Sequence, residues 1–142
     1  MYACTKGATT LGVDGVIIDV EVDVSNGLPC FEMVGMPDAM VREAKERVRS
    51  AIRNSGIRLQ QDKVTVNLAP AGMRKDSAWL DLPIAVALLA AYGVIPTEGL
   101  DRYLFISELS NVNFLIFAFR GDFDDTLCDY FVGGEHIIRC FQ

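Results

Sequence analysis

Two sets of side chains in this sequence have the types and spacing to do chemistry. The first lies in the loop Ala69-Pro70-Ala71-Gly72-Met73-Arg74-Lys75-Asp76-Ser77-Ala78-Trp79 and at Asp81 just beyond it. A serine two residues from a lysine invites the idea of a nucleophile with its base. A lysine among charges and water keeps a pKa near about 10.4, however, and accepts protons poorly. Loop serines, in turn, commonly serve turns. Asp81 reads as the N-cap of the helix that follows, accepting hydrogen bonds from backbone N–H groups otherwise left unpaired. Arg74 and Lys75 beside Trp79 offer another chemistry, in which the cations hold a phosphate backbone and the indole stacks on a base. A solvated loop with a half-buried tryptophan accounts for the same residues.

The second set is Arg42, Lys45, Arg49 and Arg53, whose spacing of three and four residues places them on one face of a helix. Glu43 and Glu46 are interleaved, so one reading is a solvated face laced with ion pairs between neighbouring turns. The other is contact with nucleic acid or a protein partner. The chain has 142 residues with 19 acids against 13 bases and a net charge of −6. That balance excludes coating nucleic acid by bulk charge and confines any DNA contact to a local patch.

Other chemistries drop out. Cys4, Cys30, Cys128 and Cys140 form no CxxC pair and His136 is the only histidine, so a zinc site of the usual spacing is excluded. The thiols are expected to be free and buried. No GxxxxGK[ST] segment occurs, so the chain lacks the backbone cradle and lysine that hold nucleotide phosphates for hydrolysis. No apolar run reaches the roughly 18 residues of a membrane span. No basic segment precedes an apolar one at the N-terminus, and the expectation is a cytoplasmic chain with no membrane partner.

The elements that must position these residues follow from periodicity. In Val16 to Val24 the even positions are all apolar and β-branched, and the odd ones from 19 onward are acidic, the alternation of a strand with one wet face. Ser25-Asn26-Gly27 then suits a turn, and Leu28 to Val34 resumes an apolar run, which predicts an antiparallel hairpin. A strand over Ala3 to Leu11 precedes it. Asp38 is placed to cap a helix of about eighteen residues ending at Gly56, with Val41, Ala44, Val48, Ala51 and Ile52 as its buried stripe. Lys63 to Leu68 is a further strand, Leu82 to Tyr92 a helix apolar on every side, and Tyr103 to Ser107 a closing strand. The fold class is α/β in the α+β two-layer sense, one sheet with helices packed on it.

Composition changes near Ser110. Residues 111–142 hold six of the eight phenylalanines and no lysine, while residues 1–110 carry a net charge of −3. The expected organisation is a domain over 1–110 followed by a divergent tail, 111–142, whose aromatic content favours self-association.

Several segments in order then carry a resemblance: Gly12-Val13-Asp14-Gly15, Val20 through Pro29, Val34-Gly35-Met36-Pro37-Asp38, Arg42-Glu43 through Arg47-Val48-Arg49, Thr65-Val66-Asn67-Leu68-Ala69-Pro70, and Asp81-Leu82-Pro83-Ile84-Ala85. Over Met1 to Ser110 they resemble the N-terminal domain of the YifB/ComM family, the Mg-chelatase-like AAA ATPases. The resemblance implies a ribosomal protein S5 domain 2-like fold, similar to the Lon protease domain, preceding an ATPase module. It implies a family role in DNA processing during natural transformation, with this domain as a scaffold for ring assembly or a DNA contact. ATP and Mg belong to the ATPase module, and no cofactor is expected in this chain. Past Glu108-Leu109-Ser110 the sequence departs from the family's pattern, which suggests a frameshifted or prematurely ended reading frame, or a divergent native ending. Alignment with active Lon-type proteases puts Asp81 where the nucleophilic serine would stand, and the tail that should supply the lysine has none. A small Lon-like Ser/Lys hydrolase and a gene remnant are the rival functions. The residues carried forward as a weak DNA-binding set are Arg42, Lys45, Arg49, Arg53, Arg74 and Lys75.

Overall fold

The computed structural model describes residues 1–109 and, beyond them, the backbone of residues 117–120 and 136–138. The domain boundary at 110 and most of the tail lie outside the described residues. The chain runs β1 (Tyr2–Leu11), β2 (Asp14–Ser25), β3 (Cys30–Val34), α1 (Ala39–Arg42), α2 (Ala44–Asn54), β4 (Lys63–Ala69), α3 (Asp81–Ala91), β5 (Tyr103–Phe105), β6 (Phe117–Arg120) and β7 (His136–Ile138). The strands form one mixed sheet in the order β3-β4-β2-β1-β5-β6-β7. Helices α2 and α3 pack on it, giving the two-layer α+β arrangement the periodicity predicts.

The alternation of β2 and β4 sets the core. Their antiparallel register pairs Val20 with Leu68, Val22 with Val66 and Val24 with Val64, and all six side chains are buried. One apolar face per strand admits only this register, because a shift by one residue would turn the valines to solvent. On the other side of β2, strand β1 brings small residues: Ala3, Thr5 and Gly7 stand opposite Val22, Val20 and Ile18. Their size answers the closeness of α3. A Cβ on Gly7 would meet Pro83 Cγ at 2.8 Å and Leu80 Cδ2 at 2.9 Å. Thr5 Oγ1 donates to the Pro83 carbonyl at 2.8 Å, satisfying a buried hydroxyl and fixing the start of the helix over the sheet.

The expected hairpin between β2 and β3 is not formed. Strand β4 lies between them, antiparallel to β2 and parallel to β3. The central place goes to the strand with the cleaner alternation, since β4 buries Val64, Val66 and Leu68 in turn, whereas β3 has no fully buried residue. A short, half-exposed strand is better suited to the sheet edge. The tight hairpin of this sheet joins β1 to β2 through Gly12-Val13, with Gly12 at φ +65°. The predicted closing strand is shorter than expected, ending at Phe105, and runs parallel to β1.

The predicted eighteen-residue helix is two helices. Asp38 does cap the first, its Oδ1 accepting from the Val41 amide at 2.9 Å. The five residues of the predicted stripe are all buried. The break falls at Glu43, between α1 and α2. The Met40 carbonyl, which an unbroken helix would offer to the Ala44 amide, accepts from the Arg47 guanidinium at 2.9 Å. The path from β3 into α1 depends on Gly35, at φ +99°, where a Cβ would lie 2.1 Å from the Leu68 carbonyl oxygen. Gly56, at φ +81°, ends α2 in open space.

These two glycines give a paired test. Gly35→Ala combines a left-handed φ with a backbone collision and should cost at least about 3 kcal/mol. Gly56→Ala carries the φ strain alone and should cost about 1 kcal/mol. Urea denaturation of both variants measures the difference, and equal losses would contradict the close approach of β3's end to β4.

Candidate nucleic-acid interface

Helix α2 carries two stripes. One, Ala44, Val48, Ala51 and Ile52, is buried on the sheet and on α3. The other, Lys45, Arg49 and Arg53, repeats every four residues and faces a groove of about 1180 Å³. Edge strand β3 supplies Phe31 to this groove, the segment 57–62 supplies Arg58 and Asp62, and α3 ends at Tyr92 on its margin. Ile52, Val64 and Leu88, all buried, form the apolar floor. The Arg49 guanidinium carbon sits over the Phe31 ring at 5.3 Å from its centre, a cation–π contact that holds the charge in place. Tyr92 Oη donates to the Gln60 carbonyl at 2.8 Å, tying the 57–62 wall to the end of α3. Burial, with Asp62 nearby, pushes the Tyr92 phenol up from its ordinary value.

The expected lacing of this face by ion pairs is largely missing. The ion pair along the helix is Arg47 with Glu43 at 3.8 Å. Among the described residues, Lys45, Arg49, Arg53 and Arg58 have no carboxylate within ion-pairing distance. Four cations without a close ion pair therefore share one concavity with two acids, Glu46 and Asp62, on a chain of net charge −6.

The remaining sequence-predicted residues lie elsewhere. Arg42 is exposed on α1, and Arg74 is exposed in the loop after β4; neither lines the groove. Lys75 is a correction, because its side chain is fully buried rather than solvated. Its ammonium donates to the Pro70 carbonyl, closing the loop on itself. Its backbone bridges to the start of α1, with Lys75 N donating to Met36 O at 3.0 Å and Asp38 N donating to Lys75 O at 2.9 Å. Burial pushes the Lys75 ammonium below its ordinary pKa. Trp79 is 45% exposed, close to the half-buried state expected. Of the four cysteines, Cys4 and Cys30 are free and half-buried rather than fully buried; Cys128 and Cys140 lie outside the described residues. Sequence reasoning missed Arg58, Phe31 and Tyr92, whose approach to α2 depends on the crossover from β3 to β4.

Asp81 is a second correction. It does not cap α3; the cap position is Leu80, without a side-chain hydrogen bond, and Asp81 is already helical. Its carboxylate is fully buried and accepts from Arg47 Nε at 2.6 Å, Arg47 Nη2 at 3.0 Å and the Leu109 amide at 3.1 Å. Burial pushes the Asp81 carboxyl up, and the Arg47 guanidinium and the Leu109 N–H oppose that shift. The Asp81 hydrogen bond in turn holds Arg47 protonated more firmly than usual. Two backbone bonds continue the seam, Leu82 N to Ser107 O at 3.1 Å and Ser107 N to Trp79 O at 3.3 Å. Ser77 Oγ accepts from the Trp79 amide at 3.2 Å as the cap of a short 3-10 turn, Ala78–Leu80. Serine, lysine and aspartate thus each have a structural engagement of their own.

The Arg47–Asp81 pair makes a double-mutant cycle decisive. Arg47→Met leaves a buried carboxylate without its cation and should cost about 3 to 5 kcal/mol. Asp81→Leu added to it should recover most of that loss, because an apolar pair avoids the desolvation cost. Chemical denaturation of the three variants checks this, and additive losses would contradict the pairing.

With the geometry in place, comparison with known proteins places the chain. A family model described as subunit ChlI of Mg-chelatase matches residues 20–113. The uncharacterized protein YifB of Salmonella typhimurium and that of Escherichia coli K12 are each 50% identical over 100 residues, covering 70% of this chain and 20% of each relative. Competence protein ComM of Haemophilus influenzae is 41% identical over 108 residues, 76% of this chain and 21% of ComM. The chain spans about a fifth of the length of the curated relatives it matches. The matched stretch runs from within β2 through β5 and holds both members of the Arg47–Asp81 pair, and the chain belongs to the family of subunit ChlI of Mg-chelatase.

Proposed function

We propose that this domain is a non-catalytic nucleic-acid contact of a Mg-chelatase-like, ComM/YifB-type AAA ATPase, and that the groove beside α2 is its contact surface. The observation that carries this is the stripe of Lys45, Arg49 and Arg53 facing Arg58 across a groove in which cations outnumber the two acids, Glu46 and Asp62, and none of the four is ion-paired among the described residues, in a chain otherwise rich in acid. Unpaired cations at one-turn spacing suit successive phosphates of a strand, and such contacts are independent of sequence. The relative named competence protein ComM supports a place in DNA handling. On this reading ATP and Mg would serve an ATPase module and not this domain. A Ser/Lys hydrolase is disfavoured, since Lys75 is committed to Pro70, Asp81 to Arg47, and Ser77 to a turn.

Fluorescence anisotropy with an end-labelled 20-nucleotide DNA, single-stranded or duplex, tests this at low salt. With three or four phosphates neutralised, binding to the single strand should fall with a slope of log K against log salt of about −2 to −3. Arg49→Glu/Arg53→Glu should weaken binding at least about tenfold, while Arg42→Glu, outside the groove, should change it less than about twofold. Binding indifferent to salt, or equal losses in both variants, would contradict the assignment.

A further inference from the structure

The groove holds more than cations. Phosphate contact alone needs only exposed positive charge, yet here the rim, which carries Glu46 and Asp62 besides its four cations, encloses a concavity walled by the aromatic rings of Phe31 and Tyr92. A site with cations at the rim and aromatic rings in its wall fits a ligand that is anionic along one edge and flat elsewhere. A nucleotide strand with its bases free has that chemistry. A duplex buries its base faces in its own stack and offers only phosphates and base edges.

Arg49 is placed to read this difference. Phe31 packs against the core, and the Arg49 guanidinium lies over its ring at 5.3 Å. A guanidinium held on an aromatic ring has lost much of the side-chain freedom that stacking would otherwise cost, and its plane is one on which unpaired bases stack. Lys45 and Arg53 stand one turn before and after it on α2, roughly 6 Å along the axis in each direction. The stacking point is thus flanked on both sides by cations that hold the backbone, and Arg58 approaches from the facing wall.

We infer that the groove is a single-strand site in which an unpaired base stacks on the Arg49–Phe31 pair while Lys45, Arg53 and Arg58 hold the adjacent phosphates. This rests on the nucleic-acid assignment above and adds base recognition to it. An aromatic or guanidinium stacking platform accepts any base, so the preference is for unpaired over paired bases and not for sequence.

The test compares, on the full chain at low salt, oligo-dT of 15 nucleotides with an abasic sugar-phosphate strand of equal length and charge. Stacking of one base predicts at least about fivefold tighter binding of oligo-dT than of the abasic strand. Phe31→Ala should erase that preference and leave the salt-dependent remainder. The comparison of the two strands on the unsubstituted chain needs no variant, so instability of Phe31→Ala does not blunt it. Equal affinity for oligo-dT and the abasic strand, with both weakened by Arg49→Glu/Arg53→Glu, overturns the stacking site and leaves the phosphate contact standing. Failure of both strands to bind overturns the two together.

Discussion

The Arg47–Asp81 pair ties helix α2, whose other flank lines the groove, to the start of α3. A carboxylate removed from water at the start of an otherwise apolar helix is costly unless its oxygens are fully engaged. Here they meet a two-pronged guanidinium and a backbone amide. The guanidinium's second Nη contact, to the Met40 carbonyl, sets the bend between α1 and α2. The pair thereby links the start of α3, the end of α1 and, through the Asp81 bond to the Leu109 amide, the chain after β5. Because exchange for a well-packed apolar pair can be nearly neutral in stability, the pair is better understood as selecting one arrangement than as the main source of folding energy. That energy comes from the interlocked valines of β2 and β4 beneath the helices.

Positioning α2 by its Arg47 side leaves its opposite flank facing the groove. With Val48, Ala51 and Ile52 buried and Arg47 turned toward α3, the stripe of Lys45, Arg49 and Arg53 must face the edge of the sheet. Strand β3 occupies that edge and presents Phe31 there. The groove is thus a product of the crossover topology: β3 and β4 are parallel neighbours, and α1 and α2 span between them. Local charge counts in such a place, because Lys45, Arg49, Arg53 and Arg58 outnumber Glu46 and Asp62 in the groove, while acids farther off are screened within about 10 Å at ordinary salt.

Much of this was legible in the sequence. The alternation in Val16 to Val24 and Lys63 to Leu68 located the two central strands, and helical spacing identified all five buried residues from Val41 to Ile52. Strand pairing was not legible, since an apolar run following a turn suggests a hairpin and nothing local reveals that β4 will intervene. Lys75 misled for a related reason: its loop is polar in composition, but the loop folds back so that the ammonium finds the Pro70 carbonyl out of solvent. The Arg47–Asp81 pair had left a trace. Arg47 stands three residues after Ala44 and four before Ala51, beside the buried stripe, and Asp81 is the lone charge at the head of a wholly apolar helix. A cation and an anion, each on the apolar side of its own helix, must find one another or remain unpaired.

On the proposal above, nucleic acid meets this domain along α2, β3 and the 57–62 wall. Backbone amide shifts of the isotopically labelled chain, followed by NMR during titration with oligo-dT at low salt, test it most directly. Perturbations should concentrate at residues 29–31, 45–53 and 57–62, with Arg74, Trp79 and the solvent face of β2 at Asp19, Glu21 and Asp23 unmoved. Shifts gathered around Arg74 and Trp79, or spread without relation to the groove, would contradict it.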